Sequence, residues 1–363
     1  MAHPHPTLIT TRKGWTEAEI FGLADPYTQV EAVTLDSGLS GATIERVTLG
    51  TGTTTTTRII KWLDPTTNWL MRASDDTQCR EVQLTQSEFW RRMPHVLLLP
   101  IVAAGTFPDG MGALAMTDMD GSIYPASMCY DMATPDPALV AWLIDGLAML
   151  HAAFWADPAL SEATWLASPA ATLFTLTPDR LSRSGVDADD IGYGGAAIRM
   201  WGYLERLIDP DDYRTIIATL AHPDALLAAY AACPATLAHG DAWLANMGTQ
   251  EGRLILLDWA LATRGPATLD SLWLAHTWHS LEPSAILVAH RAALLRHGVA
   301  AVADDATWDL IEDLGWLRTT FMGIEWLIRD VRGAQDGDEQ SMALDRLRYW
   351  CHSAADILRT RGW

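Results

Sequence analysis

The hydrophobic pattern of this chain changes its period once, near residue 120, and that change limits the folds open to it. Before that point the apolar residues alternate with polar ones or stand in β-branched runs, which suits strands. Val30 to Leu35 reads as a strand, and Ala42 to Leu49 alternates as a half-buried strand does. Thr53 to Leu63 runs from five threonines into Arg58-Ile-Ile-Lys-Trp-Leu63, and Val96 to Ala104 and Gly112 to Met116 complete a set of about five antiparallel strands. Residues 77–93 carry one helical pattern that ends before Pro94. The first 29 residues read as a leader with a short helix near Thr16 to Leu23, where Thr16 and Glu19 form a capping box.

After residue 120 the spacing becomes helical. Asp136-Pro137 is an N-cap followed by proline, and Leu139, Leu143, Leu147, Leu150 and Phe154 recur on one face. Further helices are expected over 196–208, 212–230, 270–296, 306–330 and 338–359. One strand pair interrupts them, Asn246 to Thr249 and Arg253 to Leu257, turning at Gln250-Glu-Gly252. The expectation is an α+β chain of two lobes. Residues 1–119 form a small β lobe and residues 120–363 a larger helical one.

Charge narrows the function classes. The net charge of −20 carries no basic footprint for nucleic acid. Four cysteines, at 79, 129, 233 and 351, stand apart with no CxxC pair, which suits a reducing compartment and neither a zinc site nor a disulfide framework. The N-terminus lacks the apolar stretch of a signal peptide, and no apolar run approaches the ~18 residues of a membrane span. A cytoplasmic protein with no membrane partner is expected.

The chemistry gathers in two places. Leu237-Ala-His-Gly-Asp-Ala-Trp-Leu-Ala-Asn-Met247 leads into the strand pair, and Leu254-Ile-Leu-Leu-Asp-Trp259 leaves it. Asn246 and Asp258 therefore meet at the open end of a hairpin. One amide oxygen and one carboxylate suit Mg²⁺, which takes few protein oxygens and completes its shell with phosphate and water. Asp241, on the turn after Gly240, is placed to accept a proton from an attacking hydroxyl. The second place is Lys61. Of 25 basic residues only Lys13 and Lys61 are lysines, and Lys61 stands inside Ile59-Ile60-Lys61-Trp62-Leu63. A buried ammonium needs a carboxylate; Glu81 and, seven residues on, Glu88 are the candidates. A lysine held by a glutamate and aimed at phosphate is a kinase arrangement. The seventeen tryptophans read mainly as core aromatics, and His151 as a satisfied core histidine. His276 and His279 share a helix face without a third ligand, and read as packing or surface residues.

His239-Gly-Asp241 with Asn246 and then Asp258 resembles the signature of aminoglycoside phosphotransferases, choline kinases and ecdysteroid-kinase-like enzymes, which share the protein-kinase-like fold. Trp243, Leu150-His-Ala-Ala-Phe-Trp155 and Arg80-Glu81-Val82 look closest to the ecdysteroid-kinase-like branch. The resemblance spans about residues 30–280. It implies Asp241 as catalytic base, Asn246 and Asp258 as Mg²⁺ ligands, and Lys61 paired with Glu81 at the ATP phosphates. It also implies a hinge at Ala115-Met-Thr-Asp-Met119, with the Thr117 carbonyl and the Met119 amide at adenine. Ser40 and Gly41 would lie in the phosphate-side turn, and His239 and Asp270 would support the catalytic loop. The chain departs from the pattern in the short turn Gly38-Leu-Ser-Gly41, which lacks GxGxxG, and in Ala-Leu-Ala-Thr-Arg-Gly-Pro266 after Asp258. The implied activity is transfer of phosphate from ATP to an alcohol group of a small molecule bound between the catalytic loop and the C-terminal helices. The alternatives are an antibiotic kinase, such as one acting on aminoglycosides, and an inactive nucleotide-binding scaffold.

Overall fold

The computed structural model describes residues 3, 6–9, 28–35, 41–51, 54–131 and 135–363. The expected helix near 16–23, its capping pair, and the turn containing Ser40 lie outside the described residues.

The small lobe holds β1 (Thr7–Leu8), β2 (Thr28–Leu35), β3 (Thr43–Thr51) and β4 (Thr54–Leu63), followed by three short helices. These are α1 (Trp69–Ala73), α2 (Arg80–Gln86) and α3 (Glu88–Arg92). The chain then forms β5 (Leu97–Leu98), β6 (Ile101–Thr106) and β7 (Gly112–Thr117). Six of these strands make one sheet in the order β1-β6-β7-β4-β3-β2. All neighbours are antiparallel except β1 and β6, which run parallel. The sheet is therefore mixed, with a short parallel edge strand that two residues of the leader give no periodicity to announce. Its register puts Lys61 of β4 between Ile44 of β3 and Leu114 of β7.

Two expected runs before residue 120 are divided. The helical pattern over 77–93 breaks at Ser87, whose ψ of 161° is extended. The run from 96 to 104 splits around Pro100, which has no N–H to give a sheet. Its first part, β5, leaves the small lobe altogether. It pairs in parallel with β10 of the hairpin β9 (Met247–Gln250) and β10 (Arg253–Leu256), so Leu97 faces Leu254.

The large lobe is helical because its apolar residues repeat every three or four positions and its helix starts are capped. Asp136 caps α4 (Pro137–Ala153) by accepting from Ala138 N–H, with proline at the first turn. Five short helices follow: α5 (Ala159–Glu162), α6 (Pro169–Phe174), α7 (Pro178–Arg183), α8 (Tyr193–Trp201) and α9 (Leu204–Leu207). Asp209 caps α10 (Pro210–Ala221), and α11 (Asp224–Ala232) leads to β8 (Thr236–Ala238). After the hairpin, β11 (Thr263–Gly265) pairs antiparallel with β8. This is a second strand pair in the lobe, where the sequence announces one. Three-residue strands 25 positions apart leave no local pattern, and they form because the loop between them is tied down at both ends.

The expected helix over 270–296 is two helices, α12 (Thr268–Thr277) and α13 (Pro283–Arg296), parted before Pro283. Asp304 caps α14 (Asp305–Gly333), and Asp336 caps α15 (Gly337–Arg361), which ends on left-handed Gly362. The middle of α14, from Leu314 to Ile328, is buried on all sides. It is the axis of the lobe, crossed by α12 and flanked by α15. All four cysteines are buried and unpaired. Among the described residues no single helix is long and apolar enough to cross a membrane.

Candidate active site

The site lies where β4 and α2 of the small lobe meet the β8–β9 loop and the residues after β10. Lys61 is 4% exposed, and its Nζ sits 2.7 Å from Glu81 Oε2 and 2.8 Å from Asp258 Oδ1. Glu88 takes no part: it is exposed and pairs with Arg91 at 3.4 Å. The other Glu81 oxygen accepts from the backbone N–H of Trp259 at 3.1 Å, so one side chain of the small lobe binds both the lysine and the residue after Asp258. Asp258 itself has a left-handed backbone, φ +61°, a conformation unfavourable for a residue with a side chain. That strained turn aims the carboxylate back at Lys61.

Two carboxylates share this one ammonium. Burial works against its charge, yet the Asp258 and Glu81 carboxylates hold the Lys61 pKa above its ordinary value. Burial also opposes the charged form of Asp258, but Lys61 outweighs it and holds that carboxyl below the usual range. Glu81, completely enclosed, is raised by its burial despite Lys61.

The loop between β8 and β9 carries the rest. Asn246 just precedes β9, and its carbonyl accepts from Leu257 N–H at 2.8 Å across the hairpin mouth. Its Nδ2 donates to both the Asp241 carbonyl and Asp241 Oδ2, each at 3.0 Å. The amide oxygen is then the atom Asn246 can offer a cation. Asp241 Oδ1 accepts from the Trp273 indole N–H at 2.8 Å. Burial lifts the Asp241 pKa to about 7, with the nearby Asp258 carboxylate adding to the effect.

Backbone geometry holds this loop in place. Gly240 has φ +82°, and a Cβ there would come within 2.1 Å of the Leu261 carbonyl oxygen, so only glycine fits. Asp270, in the first turn of α12, accepts from His239 N–H at 2.8 Å and Gly240 N–H at 2.7 Å. It also meets His151 Nε2 at 2.9 Å. Its burial is outweighed by the His151 hydrogen bond and the neighbouring donors, and its pKa falls to about 2. His239 Nε2 lies 2.8 Å from the Leu257 carbonyl and its Nδ1 accepts from Asp241 N–H at 3.2 Å, which sets the neutral Nε2–H tautomer. Burial lowers the His239 pKa, in keeping with that form. His151 bridges Asp270 to His290, whose Nε2 is 3.1 Å from His151 Nδ1, so it is a hydrogen-bonded core residue.

The structure thus brings together Lys61, Glu81, Asp258, Asn246, Asp241, His239 and Asp270. Thr117, Met119 and Gly41 make no hydrogen bond to this cluster among the described residues. Thr117 closes β7 and donates its N–H to Pro100 O at 2.9 Å, while the Met119 carbonyl accepts from Ser122 N–H at 2.9 Å. Between them the segment is pinned to β3, because Arg46 pairs with Asp118 at 2.9 Å and Asp120 at 3.2 Å. Gly41 is exposed, with φ +81°.

Three residues without an expected place in the site belong to its frame. Trp273 stands three positions after Asp270, a spacing that places both on one helix face and was open to reading. Arg318 of α14 donates from Nη2 to the Gly240 carbonyl and lies over the Trp273 ring, 5.1 Å from its centre. Arg80, beside Glu81, donates to the carbonyls of Ala260 and Trp165 in the large lobe. The two arginines act at sites 78 and 180 positions away in sequence, beyond any local signal.

Residues 97–314 match the family described as phosphotransferase enzyme family, APH. The chain belongs to that family. Solved structures similar to it include the ethanolamine kinase of Plasmodium vivax, 13% identical over 93% of this chain and 85% of that one, with a TM-score of 0.50. The choline kinase of Cryptosporidium parvum Iowa II is 10% identical over 92% and 90%, with a TM-score of 0.48. The GDP complex of aminoglycoside 2′-phosphotransferase-IIIa is 14% identical over 94% and 99%, with a TM-score of 0.47. The likeness to the ethanolamine kinase is one of fold, the kinase-like pairing of a sheet lobe with a larger helical lobe. A comparison with curated proteins finds no match. Membership of that family makes this a phosphotransferase-family chain.

Proposed function

We propose that the protein is an ATP- and Mg²⁺-dependent kinase that phosphorylates a hydroxyl group of a small molecule in the cytoplasm. The observation that carries this reading is the meeting of Lys61 and Glu81 from one lobe with Asp258, Asn246 and Asp241 from the other. Residues 1–119 serve as the nucleotide-binding lobe, and residues 120–363 carry the catalytic loop and the acceptor site. Thr117 and Met119 offer backbone groups to the adenine, and Ser40 and Gly41 lie in the turn toward the phosphates.

The donor set fits a magnesium ion. Asp258 supplies a carboxylate of depressed pKa and Asn246 an amide oxygen, one charged and one neutral ligand at the same hairpin mouth. Among the described residues no three His, Cys, Asp or Glu converge on a point, but Mg²⁺ in a phosphate site needs only one or two protein oxygens. When bound, the ion neutralises phosphate charge. Lys61 supplies a second positive charge, and Glu81 keeps its Nζ in place. Asp241 accepts the hydroxyl proton as the acceptor oxygen attacks the terminal phosphorus, whose bond to the β–γ bridging oxygen breaks to release ADP.

The resemblance of Trp243, Leu150-His-Ala-Ala-Phe-Trp155 and Arg80-Glu81-Val82 to the ecdysteroid-kinase-like branch supports an alcohol as acceptor. A second reading is favoured by the surroundings of Trp243. Trp243 meets Trp326 edge to face at 5.3 Å, and Tyr193 and then Trp69 continue the aromatic wall. Beside it Glu325 is 1% exposed, with the Tyr193 hydroxyl as its hydrogen-bonding neighbour and its nearest cation, Arg329, at 3.9 Å. A buried carboxylate next to aromatic faces suits a protonated amine, as an amino alcohol or aminoglycoside carries. Incubating the purified chain with Mg-ATP and panels of sterols, amino alcohols and aminoglycosides, then reading gain of a phosphoryl group by mass, tests both. Product from no panel, with nucleotide still bound, would leave only the inactive scaffold.

A further inference from the structure

The α12 helix reaches the catalytic loop twice. Asp270 binds the loop's backbone, and Trp273, one turn on, binds a side chain. The Trp273 indole N–H donates to Asp241 Oδ1 at 2.8 Å while Asn246 holds Oδ2 at 3.0 Å. Each carboxylate oxygen therefore has its own neutral donor, and the two together fix the plane of the group.

The indole is itself tightly built in. Trp273 is 3% exposed. The His276 ring lies parallel to it, 5.2 Å between centres and 8° between planes. Both His276 ring nitrogens are buried without a hydrogen-bond partner, an arrangement that costs free energy and serves only packing. Room for it comes from Gly323 on α14, where a Cβ would lie 2.1 Å from His276 Nε2. The Arg318 guanidinium also rests on the indole, and its Nε and Nη1 are buried without partners. A buried guanidinium with free donors beside a carboxylate ordinarily closes a two-pronged ion pair. Among the described residues Arg318 makes no such pair with Asp241, and Oδ1 is taken by the indole instead.

We propose that Trp273 is a positioning residue for phosphoryl transfer: its indole N–H orients the Asp241 carboxylate toward the acceptor, and its ring holds Arg318 in a stack away from that carboxylate. This rests on the kinase reading above, in which Asp241 is the base. The role calls for the N–H and not merely for a large ring. Trp273→Phe keeps a flat ring under Arg318 and beside His276, and removes the donor alone.

The test compares wild type, Trp273→Phe and Asp241→Asn for Mg-dependent ATP hydrolysis, with water as acceptor, and for binding of ADP. The expected result for Trp273→Phe is a kcat lower by ~10-fold or more, the scale of a hydrogen bond to a charged group, with the KM for ATP and the Kd for ADP within ~2-fold of wild type. An unchanged kcat, or a loss of nucleotide affinity equal to the loss of rate, overturns the proposal. The second arm needs neither turnover nor a folded Trp273→Phe variant. In the ¹⁵N spectrum of the indole groups, one slowly exchanging N–H should move when Asp241→Asn replaces the carboxylate by an amide. If no indole N–H moves, the contact is absent and the proposal fails. A wild type that does not hydrolyse ATP would sink the kinase reading, and this arm would still decide whether Trp273 holds Asp241.

Discussion

Lys61 balances one positive charge against two carboxylates, and its removal should be felt in binding more than in folding. Lys61→Met keeps the length of the side chain and leaves Glu81 buried without a cation. Glu81 already sits above the usual carboxylate range, so it can take a proton in place of its partner, which limits the damage. The expected outcome is a folded protein with a lower Tm and an ATP turnover reduced by ~100-fold or more. Glu81→Gln should impair turnover less, because the lysine and Asp258 remain. Glu88→Gln should be silent, since its side chain meets only Arg91 at the surface. Thermal melts and steady-state rates of the three variants check the ranking, and an impaired Glu88→Gln would contradict the pairing. Asp241→Asn is the second test at this scale. An amide can accept from Trp273 or from Asn246, but it turns an N–H toward the other. It also cannot take the acceptor's proton. Turnover should fall by at least ~100-fold while ADP binding survives, as rates and calorimetric titration would show.

At the scale of elements, α12 holds the loop between β8 and β9, and Asp270 is its main contact. Asp270→Asn keeps one acceptor where the backbone N–H groups of His239 and Gly240 and the His151 ring now share two oxygens. Stability should drop by about 3 kcal/mol, the scale of orphaned buried donors next to a lost charge. The pH dependence has a definite sign. The folded pKa of about 2 lies below the ordinary ~3.9 of an aspartate, so the carboxylate's contribution is complete above that ordinary value. It disappears as pH falls toward 2. Urea unfolding of wild type and variant should therefore show a constant gap from about pH 7 to 5 that closes below about pH 4. A gap that widens on acidification would contradict the assignment. The helix was legible from its period as the first part of one longer expected run, and Asp270 only through the family resemblance. Strands β2, β3, β4, β6 and β7 and the hairpin were legible too, because each fell within an apolar, alternating or β-branched run of four or more residues, whereas the two-residue β1 was not. The pair β8–β11 was not, since three residues are too few to show a period. Nor was the departure of β5 into the large lobe, which depends on an edge of β10 that the chain has yet to reach. Trp273 stood in view, but its partner required the crossing of α12 over the loop, and Arg318 required the path of α14.

At the scale of the whole molecule, the two lobes are sewn together beside the site, and the arginines of the small lobe's helices do much of it. Arg72 of α1 donates to Ser184 O at 2.6 Å, and Arg180 of α7 donates back to Ala73 O at 2.6 Å. The deepest stitch is Arg80, 1% exposed, whose fork serves the carbonyls of Ser74, Trp165 and Ala260. Glu81 is the next residue, so the same helix turn that sets Lys61 is anchored across the cleft. Arg80→Ala would leave three buried carbonyls short of a donor and free α2 from the segment after Asp258. Local opening then becomes cheaper than global unfolding, and the two can be told apart by hydrogen exchange. In Arg80→Ala, amides of residues 69–92 and of β4 should exchange faster by ~10-fold or more, while the buried middle of α14 keeps its protection. The KM for ATP should rise, because Lys61 loses its fixed partner, and Arg80→Lys should restore little, since an ammonium cannot span three carbonyls in a plane. Equal loss of protection in α14 would mean that Arg80 supports the whole fold and does not hold one lobe against the other.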